Sequence, residues 1–307
     1  MSKEKVVAFL KKAKPPLWLV RKIVQGGFFV LLNCAILGVN PVPLLLPVLE
    51  CLGMRSKVVG CSLGAIQIYL SRPEAPLLAV GLLIVIAVIL GRSSCAWVCP
   101  FGFVMDLIAL MNRKPIRVSR PTDSTFKKAK YGILLVIFLV SGSLALSLIY
   151  QPSTGEAYKK ALGSLAEGPF CAFCPAGSFF VTLPEAIMYF WGMAPGGIGE
   201  QLRGLPPTFW IRLIILAGVF YAAYYVPRAW CRYVCPLGAF LALFSRFSLL
   251  GIVRSPARCD KCGKCNAVCP MNIRVADFRG KVSHPECIYC LECIYACDKK
   301  ALKLKFP

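Results

Sequence analysis

Twenty residues from Tyr131 to Tyr150 carry no charged side chain, enough to cross a hydrocarbon core about 30 Å thick as a helix. Ala75 to Gly91 is uncharged over seventeen residues, and Ile23 to Leu49 over twenty-seven, with Pro41, Pro43 and Pro47 in its second half. Pro207 to Val226 is interrupted only by Arg212 and bracketed by Trp210 and Trp230, residues suited to the two membrane interfaces. The pattern predicts four spans, which put both termini on one side. The amphipathic stretch from Phe240 to Arg254 reads as an interfacial connector.

Composition agrees: 57% of the 307 residues are hydrophobic and the mean hydropathy is +0.66, which excludes a soluble globular reading. The formal charge of +22 raises nucleic acid as a partner, but the distribution of that charge points elsewhere. Seven Lys or Arg precede Ile23, eight lie from Arg92 to Lys130 and fourteen follow Pro227, against three each in 40–74 and 151–207. The positive-inside rule accounts for this alternation, with both termini cytoplasmic, the connection around Tyr158 outside, and no nucleic acid required. The first span follows a polar arm and reads as a retained anchor in the cytoplasmic membrane. The expected division is a basic cytoplasmic arm (1–15), an all-α polytopic membrane domain (16–254) and a small α+β domain (255–307).

Seventeen cysteines set the chemistry. The tail carries Cys259, Cys262, Cys265, Cys269 and Pro270, then Cys287, Cys290, Cys293 and Cys297. This is the C-x2-C-x2-C-x3-C run, twice, in which three close thiolates hold one iron–sulfur cube and the fourth reaches the other. Cys259, Cys262, Cys265 and Cys297 are therefore expected to hold one 4Fe-4S cluster, and Cys287, Cys290, Cys293 and Cys269 a second. The segment is similar to bacterial two-cluster ferredoxins, with Asp298 where the second run usually has proline. Structural zinc and disulfides are the competing uses of such thiols, and a reducing cytoplasm disfavours the latter.

The membrane part repeats a second motif. Cys95–Phe103 aligns with Cys231–Ala239, and Cys171–Phe179 matches with one residue fewer between the thiols; all three read Cys-Pro-x-Gly. A fainter copy begins at Cys61, with serine for proline and Cys51 as its companion. Proline disfavours helix at the residue before it and suits the first helical position, so each second cysteine is predicted to cap a helix. The glycine would let backbone approach a cofactor. Topology puts Cys95, Cys99, Cys231 and Cys235 together at the cytoplasmic side as one 4Fe-4S site, and Cys51, Cys61, Cys171 and Cys174 at the outer side as a further one. Cys34 is left over as a small buried residue of the first span.

These residues resemble the NapH and NosR type of polytopic membrane ferredoxins, on Cys95/Cys99/Pro100, Cys231/Cys235/Pro236 and the eight tail cysteines. The resemblance implies electron transfer between the quinone pool or cytoplasm and redox partners across the membrane. It implies as partners the other subunits of a membrane oxidoreductase complex, an outer-face redox protein or a cytoplasmic donor, with quinone a candidate ligand. A single histidine, His284, excludes a bis-histidine haem. Asp106 and Glu185 read as solvated or interfacial, with proton relay to quinone the alternative. Arg212 reads as snorkelling to the outer surface, with an anionic cluster as its other partner. The expected function is an electron-transfer subunit relaying through 4Fe-4S clusters; a transmembrane thiol–disulfide relay or sensor fed by the tail is the alternative.

Overall fold

The computed structural model describes residues 17–33, 47–49, 51, 61–70, 77–112, 115–116, 118–151, 153, 157, 160, 168–190, 207–282 and 284–306. Cys34, Tyr158, the arm 1–15 and the Glu185 side chain lie outside what is described. Helices α1 (Leu17–Asn33), α2 (Ser62–Leu70), α3 (Leu77–Leu90), α4 (Ser93–Trp97), α5 (Pro100–Met111) and α6 (Arg120–Tyr150) form the first part. A 3-10 turn (Cys171–Phe173) then leads into α7 (Pro175–Gly177), a π turn (Ser178–Thr182) and α8 (Leu183–Phe190). Helices α9 (Pro207–Tyr225), α10 (Ala229–Tyr233) and α11 (Pro236–Ser245) complete the helical body.

Two helices are long and apolar enough to cross a membrane, Pro121–Tyr150 within α6 and Thr208–Tyr225 within α9. Their apolar side chains mostly point outward, as Leu135, Leu139, Leu146 and Ile214 do; water would oppose that arrangement and lipid would not. Helices α1 and α3 have 17 and 14 residues. Local sequence sets several ends. Pro121 stands in the first turn of α6 with Asp123 beside it, favourable for the helix dipole. Gly91 closes α3 in the left-handed conformation, φ 62°, its N–H donating to the Ala87 carbonyl at 2.9 Å.

The chain is internally duplicated. In the first half α3, α4 and α5 follow one another, and in the second α9, α10 and α11 do, with a cysteine pair at each short middle helix. Helix α11 packs on α3 and α6, while α9 and α1 pack on α5, so the two halves interlock.

The tail folds around a three-stranded sheet in the order β2–β1–β3, from β1 (Gly251–Arg254), β2 (Gly280–Lys281) and β3 (Leu302–Lys305), with short helices α12 (Lys264–Ala267) and α13 (Glu292–Tyr295). Both pairings are antiparallel, Val253 opposite Lys281 and Lys303. The central strand thus comes from the end of the stretch expected to be an interfacial connector. Of the residues before it, Phe240, Leu241 and Ala242 are buried in α11, while Leu243, Phe247 and Leu249 are exposed. The reason is pairing, because a four-residue strand flanked by two partners is stable at the centre of a sheet whatever its amphipathic pattern.

Candidate metal centres

The Cys-Pro step acts as the sequence predicts. Cys99 is extended (φ −65°, ψ 115°) and caps α5, with Pro100 at the first helical position and the Gly102 N–H donating to Cys99 Sγ at 3.4 Å. Cys235 repeats this before α11, accepting from Gly238 N–H at 3.3 Å. Cys174 caps α7 in the same conformation. Cys61 uses serine for the same entry, its carbonyl accepting from Ala65 N–H at 2.9 Å.

The glycine has a steric use of its own. A Cβ on Gly102 would stand 2.8 Å from the Cys95 carbonyl oxygen, and one on Gly238 would stand 2.8 Å from an Arg92 guanidinium nitrogen. The space it keeps open is filled by the protein's own backbone and by a charge.

The sixteen described cysteines gather in fours. Cys259, Cys262, Cys265 and Cys297 line one hollow of the tail. Cys269, Cys287, Cys290 and Cys293 line a second. In the helical body Cys231 and Cys235 lie within electrostatic range of Cys95 and Cys99. Cys51 touches the Cys174 thiol and lies within range of Cys61 and Cys171. All sixteen are free thiols.

The fit to iron–sulfur cubes rests on this donor set. Among the described residues no three His, Cys, Asp or Glu side chains converge closely enough for a single ion. What speaks for iron–sulfur cubes is the donor chemistry, four thiols to a set, as 4Fe-4S clusters require. Burial pushes the Cys287 thiol up to about 12 and the Cys290 thiol to about 11, so neither is a nucleophile at neutral pH without a cation to make it a thiolate.

Buried charge surrounds the inner set, where the sequence suggested a solvated or interfacial carboxylate, with proton relay to quinone as the alternative. Asp106 is 7% exposed and receives Arg228 Nε and Nη2, each at 2.7 Å, with Arg21 at 3.2 Å and Lys22 at 3.4 Å. A carboxylate so enclosed is a structural counter-ion, which overturns the solvated reading. Arg92 and Arg228 are wholly buried and each stands three residues before the first cysteine of its pair. They cross between the halves: Arg92 Nη2 donates to the Cys231 carbonyl at 3.3 Å, and Arg228 Nη1 to the Cys95 carbonyl at 2.8 Å. The motif is therefore Arg-x2-Cys-x3-Cys-Pro-x-Gly. Extending the repeat alignment upstream by three positions would have found these two arginines.

Two further expectations change. Arg212 donates Nε–H to the Ala172 carbonyl at 2.7 Å and lies within range of Cys171. It thereby braces the outer cysteine loop from a partly buried position. Trp230 is 6% exposed, not interfacial; it stacks on Phe170 with centroids 6.1 Å apart and meets Phe101 edge-on at 6.4 Å. Phe170 precedes Cys171 and Trp230 precedes Cys231, so this aromatic pair links a neighbour of the outer set to a neighbour of the inner one.

The tail is docked onto the helical body through its second cysteine run. Glu286 takes Arg92 Nη1 at 2.7 Å, Lys130 Nζ, and Tyr131 Oη at 3.1 Å. Trp97 Nε1 donates to the Tyr289 carbonyl at 3.0 Å, and Arg21 pairs with Glu292 at 3.0 Å. Burial would raise the Glu286 carboxyl, but Arg92 and Lys130 outweigh it and hold the group at about 2.

Comparison with known proteins places these features. A family model described as a 4Fe-4S binding domain matches residues 71–117 and again 208–253, the two halves of the duplication; a 4Fe-4S dicluster domain matches 251–298. The chain is 31% identical to the uncharacterised protein MJ0750 of Methanocaldococcus jannaschii, over 73% of this chain and 76% of that one. It is 26% identical to the ferredoxin-type protein NapH of Haemophilus influenzae, over 75% and 69%, and 26% identical to the regulatory protein NosR of Pseudomonas aeruginosa, over 65% of this chain and 22% of NosR. No solved structure matches. The duplicated cysteine motif, the dicluster tail and these relatives together establish that the chain belongs to the NapH/NosR-type family of 4Fe-4S ferredoxin proteins.

Proposed function

We propose that this protein is a membrane electron-transfer subunit that holds four 4Fe-4S clusters, two in the tail and two in the helical body. The observation that carries the reading is the grouping of sixteen cysteines into four sets of four. A bound 4Fe-4S cluster supplies one-electron transfer over a wide range of potentials with little structural change. The chain's part is to fix the thiols, exclude water and set the local field. Cys99, Cys174 and Cys235 do the first from helix N-termini, whose partial positive charge favours thiolate.

In this proposal α1, α3, α6 and α9 span the cytoplasmic membrane with both termini inside. The sets are then stacked from a cytoplasmic tail, through Cys95/Cys99/Cys231/Cys235, to Cys51/Cys61/Cys171/Cys174 near the outer face. A hydrocarbon core about 30 Å thick requires such intermediate stations. The partners are a cytoplasmic donor or acceptor and a redox protein of the same complex outside. An apolar groove lined by Val136, Val140, Pro169, Phe170 and Phe173 runs beside the outer set and is where quinone would approach. The competing thiol–disulfide relay draws on the contact between Cys51 and Cys174. Iron and acid-labile sulfide counted on anaerobically purified protein decide between them. About sixteen irons per chain fit four clusters, about twelve remove the outer one, and about eight sink both membrane clusters and leave the thiol relay.

A further inference from the structure

Buried charges normally come in balanced pairs, because an uncompensated ion in a low-dielectric interior is costly. Among the described residues at the junction of the tail and the helical body they do not balance. Arg21, Lys22, Arg92, Lys130 and Arg228 have side chains between 0% and 15% exposed, and they share three carboxylates, Asp106, Glu286 and Glu292. Among the described residues, two positive charges are in surplus. Arg92 Nε is buried and finds no hydrogen-bond acceptor among the described residues. Surplus cations and an orphaned donor call for an anion, and a 4Fe-4S core on four thiolates is one.

The placement of the two crossing arginines is more specific than general neutralisation. Arg92 lies within electrostatic range of Cys95 and Cys235 on one side and of Cys287 on the other. Arg228 lies within range of Cys231 on one side and of Cys290 on the other. Each therefore faces both the inner membrane set and the second tail set. Their carboxylate partners divide the same way, Asp106 on α5 in the body and Glu286 beside Cys287 in the tail. Among the described residues no hydrogen bond joins either arginine to Cys259, Cys262 or Cys265.

We propose that Arg92 and Arg228 are positioning residues shared by two neighbouring cluster sites, raising the reduction potentials of both and screening the repulsion between them. The inference rests on the inner membrane set holding a cluster. Adding one electron to either site increases its negative charge by one and breaks no bond. A fixed cation facing both sites stabilises that charge wherever the electron resides, so it raises both potentials without favouring one direction of exchange. Because the guanidiniums are held by the duplicated backbone, they need no rearrangement when the electron moves.

The test is redox titration of anaerobic holoprotein in detergent, following each cluster by its EPR signal, after the wild-type iron count has established the inner cluster. R92Q and R228Q should each lower the potentials of the inner membrane cluster and of the Cys269/Cys287/Cys290/Cys293 cluster. The expected size is at least a tenfold change in the one-electron equilibrium, about 59 mV, with the Cys259/Cys262/Cys265/Cys297 cluster unmoved. R92K and R228K, which keep the charge, should stay near wild type. If the glutamine variants lose iron, D106N carries the test, since removing an anion should move both potentials upward. Unchanged potentials in iron-replete glutamine variants, an equal shift of all three clusters, or no upward shift in D106N would overturn the inference. A wild type with about eight irons would instead sink the reading on which it rests.

Discussion

Replacing Glu286 by glutamine should release the tail from the helical body. The carboxylate is 4% exposed and compensates two wholly buried cations, Arg92 and Lys130. Its pKa stands at about 2 against an ordinary 4.5, and at about 1.4 kcal/mol per pH unit the difference favours the ionised, docked state by about 3–4 kcal/mol. Removing one partner of a buried ion pair costs about 3–5 kcal/mol by independent measure, so the two agree in order. About 3 kcal/mol is roughly a hundredfold in an opening equilibrium. The readout is hydrogen exchange at Leu249 and Leu250, whose N–H groups donate to the Val88 and Ile89 carbonyls at 2.8 and 3.1 Å across the junction. Exchange there should accelerate roughly a hundredfold in E286Q, and E286Q/K130Q, which also removes one stranded cation, should recover part of the loss. Because the folded pKa is depressed, the contribution is present above about 4.5 and is lost as pH falls toward 2. A short acid pulse should therefore loosen wild type and leave E286Q little changed. Unaltered exchange in E286Q at neutral pH would refute the assignment of Glu286 as the electrostatic latch.

Gly102→Ala should diminish the inner membrane cluster's EPR signal and iron content, since its Cβ would stand 2.8 Å from the Cys95 carbonyl; Gly177→Ala, with Cys51 Sγ at 3.5 Å, should retain the outer cluster. Cys99→Ser and Cys235→Ser should abolish one and the same signal, while Cys51→Ser and Cys174→Ser abolish a different one; a signal lost in only one member of either pair would break that set apart. Reporter fusions should place the C-terminus in the cytoplasm and the connection near Tyr158 outside, and an outward C-terminus would reverse the order of every cluster site.

Sequence by itself determined what depends on near neighbours along the chain. The two tail runs are legible because one cube needs three thiols from one short loop. Cys99, Cys174 and Cys235 are legible as caps because proline restricts the residue before it and suits the helix start. The long apolar helices are legible because hydrocarbon thickness translates into residue number.

Tertiary structure decided what depends on distant neighbours. Asp106 and Arg228 are 122 positions apart and Arg92 and Glu286 are 194 apart; read singly, each is a charge at the edge of an apolar segment. Only folding removes both members of such a pair from water, and only then does a count of buried charge have meaning. The same holds for β1, whose four residues signal nothing until β2 and β3 lie on either side. It holds for Cys51 and Cys61, whose irregular spacing matters little once α2 and the Cys171 loop meet. Short-range rules act through backbone geometry that each residue carries with it. Ion pairs, sheet order and shared ligand sets are instead properties of space, which chain separation does not encode.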